Sequence, residues 1–190
     1  MKPKKVTVEE YIQNTLMKEI KEIGDSYPYL GFFLIASGIE FLGKCLNPSS
    51  DWQESGKSLV DFEEAIMKFK SLNKYKRYTK KGDNGITSAI SLYSSLRCGL
   101  VHAMLPKDNL QLHKGNNEST SKINGVEKDG KLHLYFDNFF DDFSNACKEL
   151  LSMSSWSSGK QKDDTFFIVS FDDLGNPSSG TTSMDIEVHV

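Results

Sequence analysis

Arg97 and His102 stand with four residues between them in Leu96-Arg97-Cys98-Gly99-Leu100-Val101-His102-Ala103-Met104-Leu105-Pro106, a stretch that is otherwise largely apolar. Arginine keeps its charge at any physiological pH and grips phosphate through paired hydrogen bonds, while histidine gives or takes a proton near neutrality. Together they suit phosphodiester chemistry. The plainer alternative is two polar residues held by structural partners. His102 falls in the last turn before Pro106, where unpaired carbonyls favour a protonated imidazole and hence a proton donor. On an ideal α-helix the five steps from Arg97 to His102 rotate by about 140°, so the reach of arginine has to bring the two groups together.

Arg97 follows Ile86, Ile90 and Tyr93 along an apolar stripe, which directs its side chain toward neighbouring helices or a subunit interface. A charge in that position needs a partner. Glu40, the one acid in the apolar run from Leu30 to Leu42, is the expected counter-ion, and removing either member would strand the other.

A second concentration of positive charge runs from Lys68 to Lys81 and includes Lys74, Lys76, Arg77, Lys80 and Lys81, with Tyr75 and Tyr78 among them. Cations hold phosphates and aromatic rings stack unpaired bases, so this segment is a candidate surface for single-stranded RNA. Its alternative is a solvated, lysine-rich helix end. The net charge of −3 and pI of about 5.8 exclude a globally basic nucleic-acid coat, so any such contact must be local.

The remaining polar groups carry weaker signals. His102, His113, His133 and His189 lack zinc-motif spacing, and Cys45, Cys98 and Cys147 form no CxxC pair. No metal and no cofactor is expected. The three cysteines, odd in number and set in apolar patterns, read as reduced core thiols in a cytoplasmic protein. His113 and His133 are expected at facing or exposed strand positions. Helix capping and dipole complementarity account for Asp137, Asp141 and Asp142. No phosphate-binding glycine loop and no serine elbow is present.

The elements that must position these residues are mainly helical. Thr7 and Glu10 form a capping box ahead of Val8, Tyr11, Ile12, Leu16, Ile20 and Ile23 at helical spacing, with Gly24 as the expected stop. Tyr29 to Leu46 is apolar on nearly every side yet carries Glu40 and Lys44, the pattern of a central core helix rather than a membrane span. Leu59, Phe62, Ile66, Phe69 and Leu72 mark a third helix. After a loop from Thr79 to Gly85, a fourth is expected from Ile86 to Met104, and a fifth, capped by Asp137, from Phe139 to Leu151.

Leu110–His113 and Lys131–Phe136 alternate as strands do and are expected to pair antiparallel. Phe166–Phe171 and Met184–Val190 form an expected terminal hairpin. The chain thus divides into residues 1–153, a helical domain with an inserted hairpin near 110–136, and residues 154–190, a β-hairpin extension packed on that domain. The basic N-terminus lacks the apolar run of a secretory signal.

An arginine-x4-histidine motif on a late helix of a small bundle, just before a proline, with Leu92-Tyr93-Ser94-Ser95-Leu96 preceding it and Glu40 on an upstream apolar helix, resembles the HEPN superfamily (higher eukaryotes and prokaryotes nucleotide-binding). The resemblance covers the helices from about Thr7 to Pro106. It implies a helical bundle of about five helices with a small antiparallel β appendage, working as a homodimer. It further implies metal-independent ribonuclease chemistry in which Arg97 and His102 of two subunits meet in a cleft. There Arg97 would stabilise charge on the scissile phosphate. His102 would serve either as base toward the ribose hydroxyl or as acid toward the departing oxygen, leaving a cyclic phosphate. The chain departs from the family pattern at Cys98, where many catalytic members carry a polar residue. That departure leaves a second reading: a non-catalytic dimerisation, sensor or adaptor module for a nucleotide or a cognate regulatory protein, with Arg97 bound structurally to Glu40.

Overall fold

The computed structural model describes residues 4–48, 52, 56–99, 106–107, 109–116, 126–128, 130–156 and 160–168. His102, His189 and the expected strand Met184–Val190 lie outside the described residues. Strand β1 (Lys4–Thr7) leads into α1, a helical run built from Val8–Glu10, Tyr11–Glu19 wound as a π-helix, and Ile20–Ser26. The capping box forms: the Glu10 amide donates to Thr7 Oγ1 at 3.1 Å and the Thr7 amide to the Glu10 carboxylate at 2.9 Å. Gly24 does not end this helix. A Cβ there would lie 1.8 Å from the Phe136 ring, so the glycine seats an aromatic side chain from a later element.

Helix α2 (Pro28–Leu46) starts with proline in its first turn, where a missing amide hydrogen costs no helical bond. Helix α3 (Ser58–Lys68) then stops at Phe69, whose extended backbone (φ −83°, ψ 129°) turns the chain into a 3-10 helix, α4 (Lys70–Tyr78). The expected single helix through Leu72 is therefore two. Phe69 drops fully into the core, and the amides of Lys70 and Ser71 donate to the Glu149 carboxylate at 2.8 and 2.9 Å instead of continuing the helical ladder.

The next helix also begins later than its apolar spacing suggests. Asp83 and Ile86 exchange backbone hydrogen bonds of 2.9 Å around a turn whose Asn84 and Gly85 have φ of 50° and 79°, leaving Ile86 69% exposed. Helix α5 (Tyr93–Cys98) is a π-helix that buries Ser95 and Leu96.

Strands β2 (Leu110–His113), β3 (Val126–Lys128) and β4 (Lys131–Tyr135) form a mixed sheet in the order β2-β4-β3. The two runs expected to pair antiparallel are parallel, with Leu110 opposite Leu132 and His113 opposite Tyr135. The antiparallel partner of β4 is β3. Lys128 pairs with Lys131, and Gly130 ahead of β4 has φ 72°, the left-handed backbone a tight hairpin connection favours. With β3 holding one edge of β4, β2 takes the other.

Helix α6 (Phe136–Ser152) begins one residue before Asp137, with Tyr135 in the cap position and no side-chain cap. Asp137 instead meets Lys21 at 3.3 Å. Asp142 lies beyond the first turn and binds Lys74 at 2.8 Å and the Tyr75 hydroxyl at 2.7 Å. Strand β5 (Thr165–Ile168) pairs antiparallel with β1, an N-terminal partner the sequence pattern did not reveal.

The result is mainly helical with a small β appendage. α2 is its central element, packed against α1, α3, α5 and α6. Ile35, Ala36, Ile39 and Leu42 are completely buried, and Gly31 and Gly38 let the rings of Phe136 and Phe143 come against its backbone. By length and composition α2 could cross a membrane, yet 50% of its apolar window is buried inside the protein, as in a core helix. Leu110, Leu132 and Leu134 fasten the sheet to the same core.

Candidate functional site

Arg97 and Glu40 meet as their sequence context suggests. Arg97 Nε donates to Glu40 Oε2 at 2.9 Å, with side-chain exposures of 21% and 15%. The packing face of α5 runs through Leu92, Ser95, Leu96 and Gly99, all buried, so Arg97 sits on the adjoining half-buried flank rather than on the apolar stripe itself. Ile86, exposed in the preceding turn, is no part of that stripe.

Three neighbours set the surroundings of the guanidinium. Its carbon lies 5.9 Å from the centre of the Tyr93 ring, which in turn packs edge-on against Phe62 at 5.5 Å. Burial, followed by the adjacent Cys98 thiol, pushes the Tyr93 phenol above its ordinary value, so it stays protonated. Ser95, at the root of α5, donates to Asn109 Oδ1 at 2.8 Å and ties the helix to the chain entering β2. Ser94 accepts a hydrogen bond from Lys107, a second tie between α5 and the chain ahead of β2.

Glu40 takes the Nε of Arg97, and among the described residues no further hydrogen bond is made by its two terminal nitrogens. A guanidinium carries five N–H donors in a planar fork, a shape that matches a planar or tetrahedral oxyanion. The described π-helical turn ends at Cys98, so the angular relation of Arg97 to His102 lies outside the described residues.

The basic segment departs from the expected base-stacking surface. Tyr75 is fully buried and Tyr78 is 2% exposed, so neither ring is open to a base. Tyr75 packs edge-on against Phe139 at 5.4 Å. Lys74 is held by Asp142, and the Lys80 amide donates to the buried Glu63 carboxylate at 2.7 Å. Arg77, Lys80 and Lys81 have exposed side chains and Lys76 a half-buried one.

The cysteines separate into two kinds. Cys45 and Cys147 are buried thiols, and burial pushes both far above their usual range, so they are inert core groups. Cys98 is half-buried, beside Tyr93 and outside the core.

One further feature escaped the sequence pattern, and another sharpens it. Lys160, 7% exposed, donates to the carbonyls of Lys44 and Asn47 at the end of α2 and lies over Trp52 at 5.4 Å, so it is a helix-terminating cation. His113 Nε2 and His133 Nδ1 approach to 2.9 Å across β2 and β4, with Tyr135 stacked on His113 at 4.6 Å. The facing strand positions expected for these two histidines are what the structure shows, although the register that pairs them is parallel. A groove of about 230 Å³ between α1 and α2, lined by Tyr11, Thr15, Leu34 and Phe41, presents mostly apolar walls. No family model, curated protein or solved structure matches the chain significantly.

Proposed function

We propose that the protein is a HEPN-like cytoplasmic homodimer that acts on RNA, with Arg97 as the phosphate-binding group and His102 as the proton-transfer group. The supporting observation is the one-edged grip of Glu40 on Arg97. A carboxylate at Nε fixes the plane of the guanidinium and leaves its terminal fork to receive a phosphate oxygen pair. Glu40 is then a positioning residue. The π-helical turn that carries Arg97 adds support, because such turns recur at functional sites. RNA contact outside the cleft would come from the exposed cations Arg77, Lys80 and Lys81 as phosphate contacts, with no contribution from Tyr75 or Tyr78.

In that reading cleavage needs no metal. His102 takes the ribose 2′-hydroxyl proton or supplies one to the departing 5′-oxygen, the hydroxyl oxygen attacks phosphorus, and a 2′,3′-cyclic phosphate remains. Arg97 balances the charge that accumulates on the phosphoryl oxygens.

A second reading rests on the same pair. Glu40, Arg97 and Tyr93 form a closed half-buried cluster, which also suits a non-catalytic dimerisation or adaptor module that binds a regulatory protein. RNA cleavage in excess chelator separates the two. Wild type should produce cyclic phosphate ends, while folded Arg97→Ala and His102→Ala variants should not. Equal cleavage by all three removes the proposed site, and no cleavage by any of them favours the adaptor.

A further inference from the structure

The geometry points to a second site on the outer face of the sheet: we propose that His113 and His133 bind one divalent transition-metal ion of the zinc, nickel or copper class. The ring centres are 5.1 Å apart with planes 13° from parallel, while the facing nitrogens are 2.9 Å apart. The centre-to-centre distance exceeds the nitrogen separation by nearly two ring radii. That is possible only if Nε2 of His113 and Nδ1 of His133 lie almost on the line joining the rings. The imidazoles therefore meet edge to edge, lone-pair direction against lone-pair direction, and share one proton between them.

A metal ion accepts the same two lone pairs. Zinc–imidazole bonds of about 2.0–2.1 Å at a tetrahedral angle put the two nitrogens about 3.3–3.4 Å apart. The observed 2.9 Å falls short of that edge by about half an ångström, and the opposed lone pairs converge on one ion only when each imidazole swings by about 35° within the shared ring plane. Each ring then keeps its single proton on the outward nitrogen, Nδ1 of His113 and Nε2 of His133, and both facing nitrogens are free to ligate. Imidazole suits zinc, copper and nickel, whereas calcium and magnesium prefer oxygen.

The scaffold is rigid where the site needs it. β2 and β4 are hydrogen-bonded in register, with Gln111 opposite His133 and His113 opposite Tyr135, so the histidines are diagonal neighbours on one face. The opposite face is anchored by Leu110, Leu132 and Leu134 in the core. Tyr135, 15° from parallel to His113, holds that ring in its plane. Both histidines are half-exposed, which admits an ion and the waters that complete its shell. Among the described residues no third His, Cys, Asp or Glu joins them, so the site is a two-imidazole anchor.

The test uses the full chain after chelator treatment and dialysis, titrated with Zn²⁺ by calorimetry and with Co²⁺ by visible absorption. One ion should bind per chain, and His113→Gln and His133→Gln should each weaken binding at least tenfold while a His102→Gln/His189→Gln double variant matches wild type. Lowering the pH should weaken binding, because protons compete for the same nitrogens. A readout without substitution comes from imidazole ¹⁵N resonances, where Zn²⁺ should shift Nε2 of His113 and Nδ1 of His133. Absence of binding, binding that survives either single substitution, or shifts confined to other histidines would overturn the proposal. None of these outcomes bears on RNA cleavage, which the preceding reading places at Arg97.

Discussion

The two cationic regions of this protein look alike as lists of residues and differ in what the fold does with them. In the segment from Lys68 to Lys81, acids from α6 pin one side chain and the backbone: Asp142 takes Lys74, and Glu149 takes the amides of Lys70 and Ser71, while Arg77, Lys80 and Lys81 stay exposed. Its tyrosines point inward. At α5 a single arginine stands on a half-buried flank with one edge held by Glu40. The rings of the dense segment are thus architecture, while the isolated cation has its plane fixed by a carboxylate. Local density of charge is a poor guide to function; what matters is which donors remain after the fold has satisfied its own.

The strongest way to break this contrast is at Tyr75. Truncation to alanine should cost about 3–5 kcal/mol in chemical denaturation, as for other large buried rings, whereas an RNA-stacking tyrosine would leave stability nearly unchanged. Tyr75→Phe, which loses the hydrogen bond to Asp142, should cost about 1 kcal/mol.

Glu40→Ala should come next. It leaves the Arg97 guanidinium half-buried without its counter-ion, and the loss should be about 2–3 kcal/mol, below the value for a fully buried pair because both side chains retain some exposure. Glu149→Ala should follow at about 1–2 kcal/mol, since two backbone amides at the start of α4 lose their acceptor. Lys74→Ala should cost less than about 1 kcal/mol because its side chain is substantially in water.

The smallest effect is a pH slope. Burial, and then the neighbouring His133, hold the His113 pKa below its ordinary value, so the folded chain prefers the neutral ring. With the folded pKa below the unfolded value of about 6.5, the unfolded chain binds more protons on acidification. The stabilising contribution is therefore complete above about pH 6.5 and is lost as pH falls through the folded value. Denaturation midpoints of metal-free protein measured across this window should decline less steeply for His113→Gln than for wild type.

Particular residues show where the chain was legible. Thr7 and Glu10 specify their capping box locally, and Glu40 stands out as a charge in an apolar helix, so both the α1 start and the Arg97 partner could be read in advance. Gly24 and Phe69 could not. Their behaviour depends on a ring from α6 and a carboxylate at its far end, both distant in sequence. The parallel register of β2 and β4 was hidden for a similar reason, because alternation identifies a strand but not its neighbour. The facing of His113 and His133 was legible from the alternation, but the parallel register that makes them diagonal neighbours was not.

Single-turnover cleavage of one RNA oligonucleotide in chelator tests the contrast most directly, comparing wild type, Arg97→Ala and a Lys80→Ala/Lys81→Ala double variant. The expected result is a rate loss of about 10²–10³-fold at saturating RNA for Arg97→Ala, with the lysine variant losing affinity but keeping its saturated rate. Cleavage by Arg97→Ala at the wild-type rate would contradict the account.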